Sequence, residues 1–212
     1  MTTVLFIRHG QSECNLSRRF AGWIDTPLTE LGRKQAQSVA TALQKYPVTR
    51  IYSSPLSRSI QTAKPTADLF GLEVIPEPDL CEIYAGDWEG LSFDVIEKDY
   101  PEEFDHLCND RSKLCPPNGE TMKHLFDRVC ACVDRLALEN RGGCIALFSH
   151  AMPLRSTLCH WNGLPLSSIK QIRSGPNASV SVAEYDDNGI VHLIKAAETD
   201  HLAEITALPM GI

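Results

Sequence analysis

The sequence lacks any apolar run approaching the roughly 18 residues needed to cross a bilayer. Val4-Leu5-Phe6-Ile7 and Cys144-Ile145-Ala146-Leu147-Phe148 are both stopped by polar residues. It lacks the cationic start of a secretory leader too, since Met1-Thr2-Thr3 is uncharged and the apolar run after it ends at Arg8-His9. A membrane protein is therefore not expected, and a cytoplasmic location is. Basic charge is also short: 20 Lys and Arg against 27 Asp and Glu give a formal net charge of −7. That balance argues against nucleic acid, whose phosphates require a clustered basic face. An anionic ligand would have to be drawn in by a local pocket. Aromatic residues make up only 7%, and no internal repeat is visible.

No CxxC pair occurs among the eight cysteines, at 14, 81, 108, 115, 130, 132, 144 and 159. Cys130 and Cys132 fall in a helical pattern, where residues two apart point to different faces, so a zinc site is not expected. With 212 residues and 43% hydrophobic content, the chain can bury one sizeable core and needs no disulfide staples, so the cysteines read as reduced thiols. One domain over residues 1–212 follows.

The pattern along the chain alternates. Thr3 to Ile7 reads as a buried strand running into Arg8-His9-Gly10. From Thr29, a plausible N-cap, Leu31, Ala36, Val39, Ala40 and Leu43 mark one face of a helix that ends before Pro47. Arg50 to Ser54 is a second strand. Ser57 to Phe70 is a helix ending at Gly71, with Pro65 expected to bend or interrupt it. Leu72 to Ile75 makes a third strand. Between Glu77 and Pro117 periodicity weakens and acids accumulate, so an insertion of short helices is expected, lid-like across about residues 83–117. Thr121 to Glu139 is a helix, Cys144 to Phe148 a fourth strand, and Met152 to Asn162 another helix. Ser179 to Tyr185 and Ile190 to Ala196 form an antiparallel hairpin across Asp186-Asp187-Asn188-Gly189. The sum is an α/β fold, a three-layer αβα sandwich on a mostly parallel sheet.

Ligands of such sheets collect beyond the C-terminal ends of the strands. Arg8 and His9 follow strand one, Arg58 follows strand two, His150 follows strand four, and Glu82 lies in the loop after strand three. Singly, a histidine is ordinarily structural and an arginine solvated; together, these groups match one chemistry. Guanidinium forks hold phosphate oxygens and a neutral imidazole attacks phosphorus, which suits phosphoryl transfer through a phosphohistidine. Gly10, free of a Cβ, is expected to turn the chain sharply so that Arg8 and His9 share a pocket.

Leu5 to Ser12, Ser53 to Ala63, Leu80 to Gly90 and Ser149-His150 resemble, in order, the signature segments of the histidine phosphatase superfamily, the phosphoglycerate mutase-like proteins. Leu28 to Gly32 and Pro116 to Glu120 extend the likeness over nearly the whole chain. The resemblance implies a six-stranded mixed sheet. It makes His9 the nucleophile, with Arg8, Arg58 and His150 around the phosphoryl group and Glu82 as acid and then base with a raised pKa. Asn15 matches the Asn that donates to the phosphate, and substrate contacts are expected at Gln11, Ala21, Gly22, Tyr84 and Ala151 as well. No metal and no cofactor are implied. The expected partner is a small phosphorylated metabolite, with a homodimer common among relatives; the apolar tail 207–212 is expected to cover a sheet edge.

Three functions fit this resemblance. The loop Arg19 to Asp25 is similar to the mutase version. Phe93, however, stands where such mutases carry Lys, the insertion offers only Arg111 and Lys113 amid acids expected to repel a doubly phosphorylated cofactor, and Pro176 to Val182 resembles the phosphatase branch. A metal-independent phosphomonoesterase is the expected function, a cofactor-dependent phosphoglycerate mutase the alternative, and a silent phosphate-binding module the third. Residues 79–100 resemble α-ribazole phosphate phosphatases, while the layout and His201-Leu202 resemble phosphoserine phosphatases. Tyr84, Trp88, Phe93 and residues 94–113 are expected to wall the pocket, with Trp23 and Trp88 equally credible as packing residues.

Overall fold

Six strands, β1 (Thr2–Arg8), β2 (Arg50–Ser53), β3 (Val74–Pro76), β4 (Cys144–Ser149), β5 (Val180–Tyr185) and β6 (Val191–Glu198), form one sheet in the order β3-β2-β4-β1-β5-β6. The computed structural model describes residues 1–203 and 205, and the tail 207–212 expected to cover an edge lies outside them. β1, β4, β2 and β3 pair in parallel; β5 runs antiparallel to β1, and β6 antiparallel to β5. In the register of β1 with β4, Arg8 lies opposite Ser149, so His9 and His150 leave the sheet side by side.

Val4, Leu5, Phe6 and Ile7 are fully buried, as an unbroken apolar run requires when a strand is covered on both faces. Each contributes about 1.5–3 kcal/mol relative to an exposed position. Val4 and Phe6 face the core under α6 (Met122–Glu139) and α7 (Ala151–Trp161), whereas Leu5 and Ile7 face α2 (Glu30–Leu43) and α3 (Ser57–Phe70). This is the three-layer sandwich. The Thr29 hydroxyl accepts from Gly32 N at 3.0 Å to cap α2, and Gly71 at φ 66° closes α3 in the left-handed conformation that a glycine adopts at least cost.

α3 is not interrupted at Pro65. Pro65 is only half-buried and Gln61, one turn earlier, is exposed, so the carbonyl deprived of its partner is not sealed in the core. The third strand begins two residues later than expected.

The insertion carries α4 (Phe93–Asp99), α5 (Pro101–Asn109) and 3₁₀ turns at Gly86–Trp88 and Arg111–Lys113; ahead of it lies a one-turn α1 (Glu13–Leu16). Ile96, Leu107 and Leu114 bury under it. Trp88 does not wall a pocket. Its ring is fully buried against Phe20, with centroids 5.5 Å apart, and Tyr100, while Phe93 also packs on Phe20. Large rings in a sparsely aromatic chain are the material that glues the insertion to the body. No helix among the described residues is long and apolar enough to cross a membrane.

Candidate active site

His9 is anchored by its backbone. Its N–H donates to Ser149 O at 2.8 Å, and its carbonyl accepts from Ala178 N and from Asn177 Nδ2. Its Nδ1 stands 2.6 Å from the carbonyl of Gly10, and a carbonyl only accepts, so the ring proton sits on Nδ1 and the lone pair on Nε2. Burial, then the Arg58 and Arg8 charges, hold the imidazole well below its ordinary pKa. A neutral ring with a free Nε2 lone pair is the form that attacks phosphorus.

Gly10 serves this loop differently from the expected sharp turn, since it is not among the residues of positive φ. A Cβ on it would come 2.6 Å from Gly32 O, and one on Gly32 would come 2.1 Å from Gln11 O. The two glycines let the loop after β1 lie backbone to backbone on the first turn of α2. Gln11 is tied there as well: its N–H donates to Gln35 Oε1 and its Oε1 accepts from the Thr29 hydroxyl.

Arg58, on the first turn of α3, is fully buried. Its Nη1 donates to Ile24 O and its Nη2 to the carbonyls of Ala21 and Gly22. Its Nε donates to His150 Nδ1 at 3.2 Å, which places the proton of that ring on Nε2, 2.8 Å from Ser54 Oγ. The two imidazoles lie 5.1 Å apart, edge to face. His150 is also held well below its ordinary pKa, by burial first and then by Arg58, His9 and Arg8. Arg8 donates through Nη1 to Gly175 O at 2.6 Å.

Glu82 faces these cations from the loop after β3. Its Oε1 accepts from Ile83 N, and its Oε2 from the N–H groups of Ala151 and Met152 that open α7. Burial raises its pKa, opposed by the Ile83 amide and by Arg58, so the proton is retained to higher pH than on an ordinary carboxyl. Arg128 on α6 pins the loop from behind, donating to the carbonyls of Asp79, Cys81 and Glu82 while pairing with Glu120 at 2.7 Å. Glu89 ties the 22–24 loop across to it by accepting from Trp23, Ile24 and Ala85 amides.

The five groups expected to do chemistry are thus brought together. The outer set is more dispersed. Asn15 Oδ1 accepts from Ser12 N and Asn177 Nδ2, which leaves its NH₂ as the donor side. The Ala21 and Gly22 carbonyls serve Arg58, and the Ala151 amide serves Glu82. Tyr84 is exposed and lies 5.2 Å from the Trp23 ring, whose Nε1 donates to Glu82 O. Ser54, Glu89, Arg128 and Asn177 escaped sequence reasoning: they act through backbone carbonyls, amides or another side chain, and no spacing marks such roles. Ser54, Glu89 and Asn177 had only the signal of lying in segments already singled out, and Arg128 had none.

Glu77, Asp79 and Cys132 gather three potential metal-ligand atoms. Glu77 is already paired with Arg135 at 2.7 Å, and the Cys132 thiol is pushed up to about 12, by burial first and then by Glu77. A protonated thiol beside a neutralised carboxylate is a poor ligand set. All eight cysteines are unpaired.

Set against known proteins, the sequence matches the profile of the histidine phosphatase superfamily (branch 1) over residues 4–196. It is 32% identical over 204 residues to Phosphoserine phosphatase 1 of Hydrogenobacter thermophilus, covering 96% of each chain. It is 34% identical over 188 residues to the protein named "Probable phosphoglycerate mutase GpmB" of Yersinia pestis, covering 89% of this chain and 87% of that one. The structure superposes on that of Bacillus stearothermophilus YhfR with a TM-score of 0.91 at 28% identity, over 95% of this chain and 100% of the other.

Proposed function

This chain belongs to the histidine phosphatase superfamily, and from that premise we propose that it is a phosphomonoesterase acting on small phosphorylated metabolites through a phosphohistidine on His9. The observation that carries this reading is the locked His9 tautomer: Nδ1 is held by Gly10 O, and Nε2 remains for attack in the field of the buried Arg58 and the half-buried Arg8.

His9 Nε2 attacks phosphorus and the ester oxygen departs with the proton of Glu82. Arg8 and Arg58 neutralise the charge on the equatorial oxygens, and His150, accepting from Arg58 Nε and directing its Nε2–H to Ser54 Oγ, holds the Arg58 guanidinium in place. Water then gives its proton to the Glu82 carboxylate as its oxygen bonds to phosphorus. The P–N bond breaks, freeing phosphate and restoring the neutral imidazole. The two guanidiniums supply the positive charge that Mg²⁺ gives in other phosphoryl-transfer sites, so no metal is needed. The relative named as a phosphoserine phosphatase supports a water acceptor.

The relatives named as mutases, together with the loop from Arg19 to Asp25, support the second reading, in which a sugar-acid hydroxyl takes the place of water. Phosphate release in EDTA from p-nitrophenyl phosphate, phosphoserine, α-ribazole phosphate and 3-phosphoglycerate separates the two when run beside a mutase assay primed with 2,3-bisphosphoglycerate. Release abolished by His9→Ala is the expected result. Interconversion of phosphoglycerates with little release would overturn it, and silence in both assays would leave a binding module.

A further inference from the structure

His201 takes no part in the chemistry above, yet it reaches the nucleophile through two hydrogen bonds. It sits in the 3₁₀ turn Asp200–Leu202 that follows β6. Its Nε2 lies 2.9 Å from the carbonyl of Ala178, and since a carbonyl only accepts, the ring carries its proton there and donates. Its own carbonyl accepts from the Ser38 hydroxyl on α2. Leu202 beside it is buried in the core that α2 shares with the sheet. The imidazole is thus held firmly from behind.

What it holds is the turn 176–179, on which the loop after β1 rests. Ala178 N donates to the carbonyls of both Arg8 and His9, at 3.1 Å each, and Ser179 O accepts from Arg8 N. Asn177 Nδ2 donates to His9 O at 3.0 Å and stands 3.4 Å from Gly10 O, the carbonyl that keeps the His9 proton on Nδ1. This turn is strained. Ala178 is fully buried at φ 62°, in the left-handed region where a Cβ crowds the following carbonyl oxygen. A residue stays in such a conformation only when its surroundings impose it, and the Ala178 carbonyl is the group that His201 grips. Were Ala178 to relax, its own amide and the neighbouring Asn177 amide would both leave the backbone of His9.

We propose that His201 is a positioning residue for the nucleophile: by bolting the strained turn 176–179 to α2, it keeps Gly10 O where it fixes the His9 tautomer that leaves Nε2 free for attack. The proposal rests on the reading of His9 as the nucleophile and adds to it a residue from the opposite end of the chain.

Three substitutions test it. His201→Phe keeps a ring in place and removes the donor, and His201→Gln restores an N–H. Ala178→Gly keeps the amide and removes the strain, since glycine takes a positive φ freely. His201→Phe is expected to lower kcat/KM by about tenfold to a hundredfold, alike on phosphoserine and p-nitrophenyl phosphate, because the fault lies in attack and not in protonation of the leaving oxygen. His201→Gln should recover most of that loss, and in an Ala178→Gly background His201→Phe should cost about threefold or less. The signature is the tautomer itself. In nitrogen-15 spectra of labelled histidine, with the His9 signals assigned by their absence in His9→Ala, the wild type is expected to show the Nδ1–H form alone and His201→Phe a mixture with the Nε2–H form. An unchanged tautomer in His201→Phe, or an equal loss of activity in both backgrounds, would overturn the proposal even if the protein melted earlier. Should His201→Phe not fold, His201→Asn, whose shorter amide falls short of Ala178 O, is read in the same way. If the wild type hydrolyses no ester at all, the phosphatase reading fails instead, and the tautomer spectra alone decide whether His201 positions His9.

Discussion

At the scale of single residues, the site sets two titrations against each other. His9 must be neutral to attack, and burial beside Arg58 holds its pKa well below 6.5. Glu82 must be protonated to release the leaving oxygen, and burial raises its pKa above 4.5. For alkyl phosphates, kcat/KM therefore rises with pH through an acid limb lying below pH 6.5 and falls again as Glu82 deprotonates. Glu82→Gln cannot donate a proton, so it should cost about 10²–10⁴ in kcat/KM on phosphoserine and abolish the falling limb. On p-nitrophenyl phosphate, whose leaving group departs as an anion unaided, the loss should be far smaller. Equal losses on both esters would show that Glu82 is not the acid. Ser54 marks the boundary of what sequence discloses at this scale: Arg58 and His150 stand out at strand ends, but the hydroxyl that accepts from His150 Nε2 is one serine among many.

At the scale of elements, function depends on backbones brought unusually close. A Cβ at Gly32 would meet Gln11 O at 2.1 Å, and the three atoms nearest to it are all Gln11 main chain, which cannot step aside. Gly32→Ala should destabilise the fold by about 1–3 kcal/mol, the usual cost of overpacking, seen as a lower urea midpoint at unchanged m-value; an unchanged midpoint would refute the contact. Arg128 joins α6 to the Glu82 loop through three carbonyls. Arg128→Met should let that loop drift, lowering kcat on phosphoserine more than on p-nitrophenyl phosphate and displacing the Glu82 limb of the pH profile. A profile that keeps its shape while the protein merely unfolds earlier would reduce Arg128 to a structural strut. The strands, α2, α6 and the hairpin were legible because their periodicity and caps are local. The roles of Gly10 and Trp88 were not, because both are set by what lies across from them: Gly32 in one case, Phe20 and Tyr100 in the other.

At the scale of the whole molecule, a sheet with five strands running one way delivers Arg8, His9, Arg58 and His150 to a single edge of the structure, and the insertion closes over the face beside it. That order was readable from alternation alone, whereas the route of the insertion was not, since its helices are short and its core contacts distant in sequence. Gathering so many cations and neutral imidazoles in one buried place makes global stability depend on pH. His9 and His150 fold with pKa values well below 6.5, and burial lowers His201 too. Below pH 6.5 the unfolded chain therefore binds protons that the native one refuses, and each group removes at most about 1.4 kcal/mol per pH unit. Two groups act in the opposite sense. Asp134 raises His160, whose contribution is present below pH 6.5 and lost as pH rises, and Glu82 takes up its proton in the native state first. Three against two, with Glu82 joining only as pH falls through its own raised value, gives a thermal midpoint that declines from pH 7.5 to 5.5. His150→Asn should make that decline shallower whatever it does to the midpoint itself, because it removes one refused proton. A slope unchanged in His150→Asn would mean that the imidazole charges readily inside the fold, and the neutral, locked pair on which the phosphohistidine chemistry depends would have to be given up.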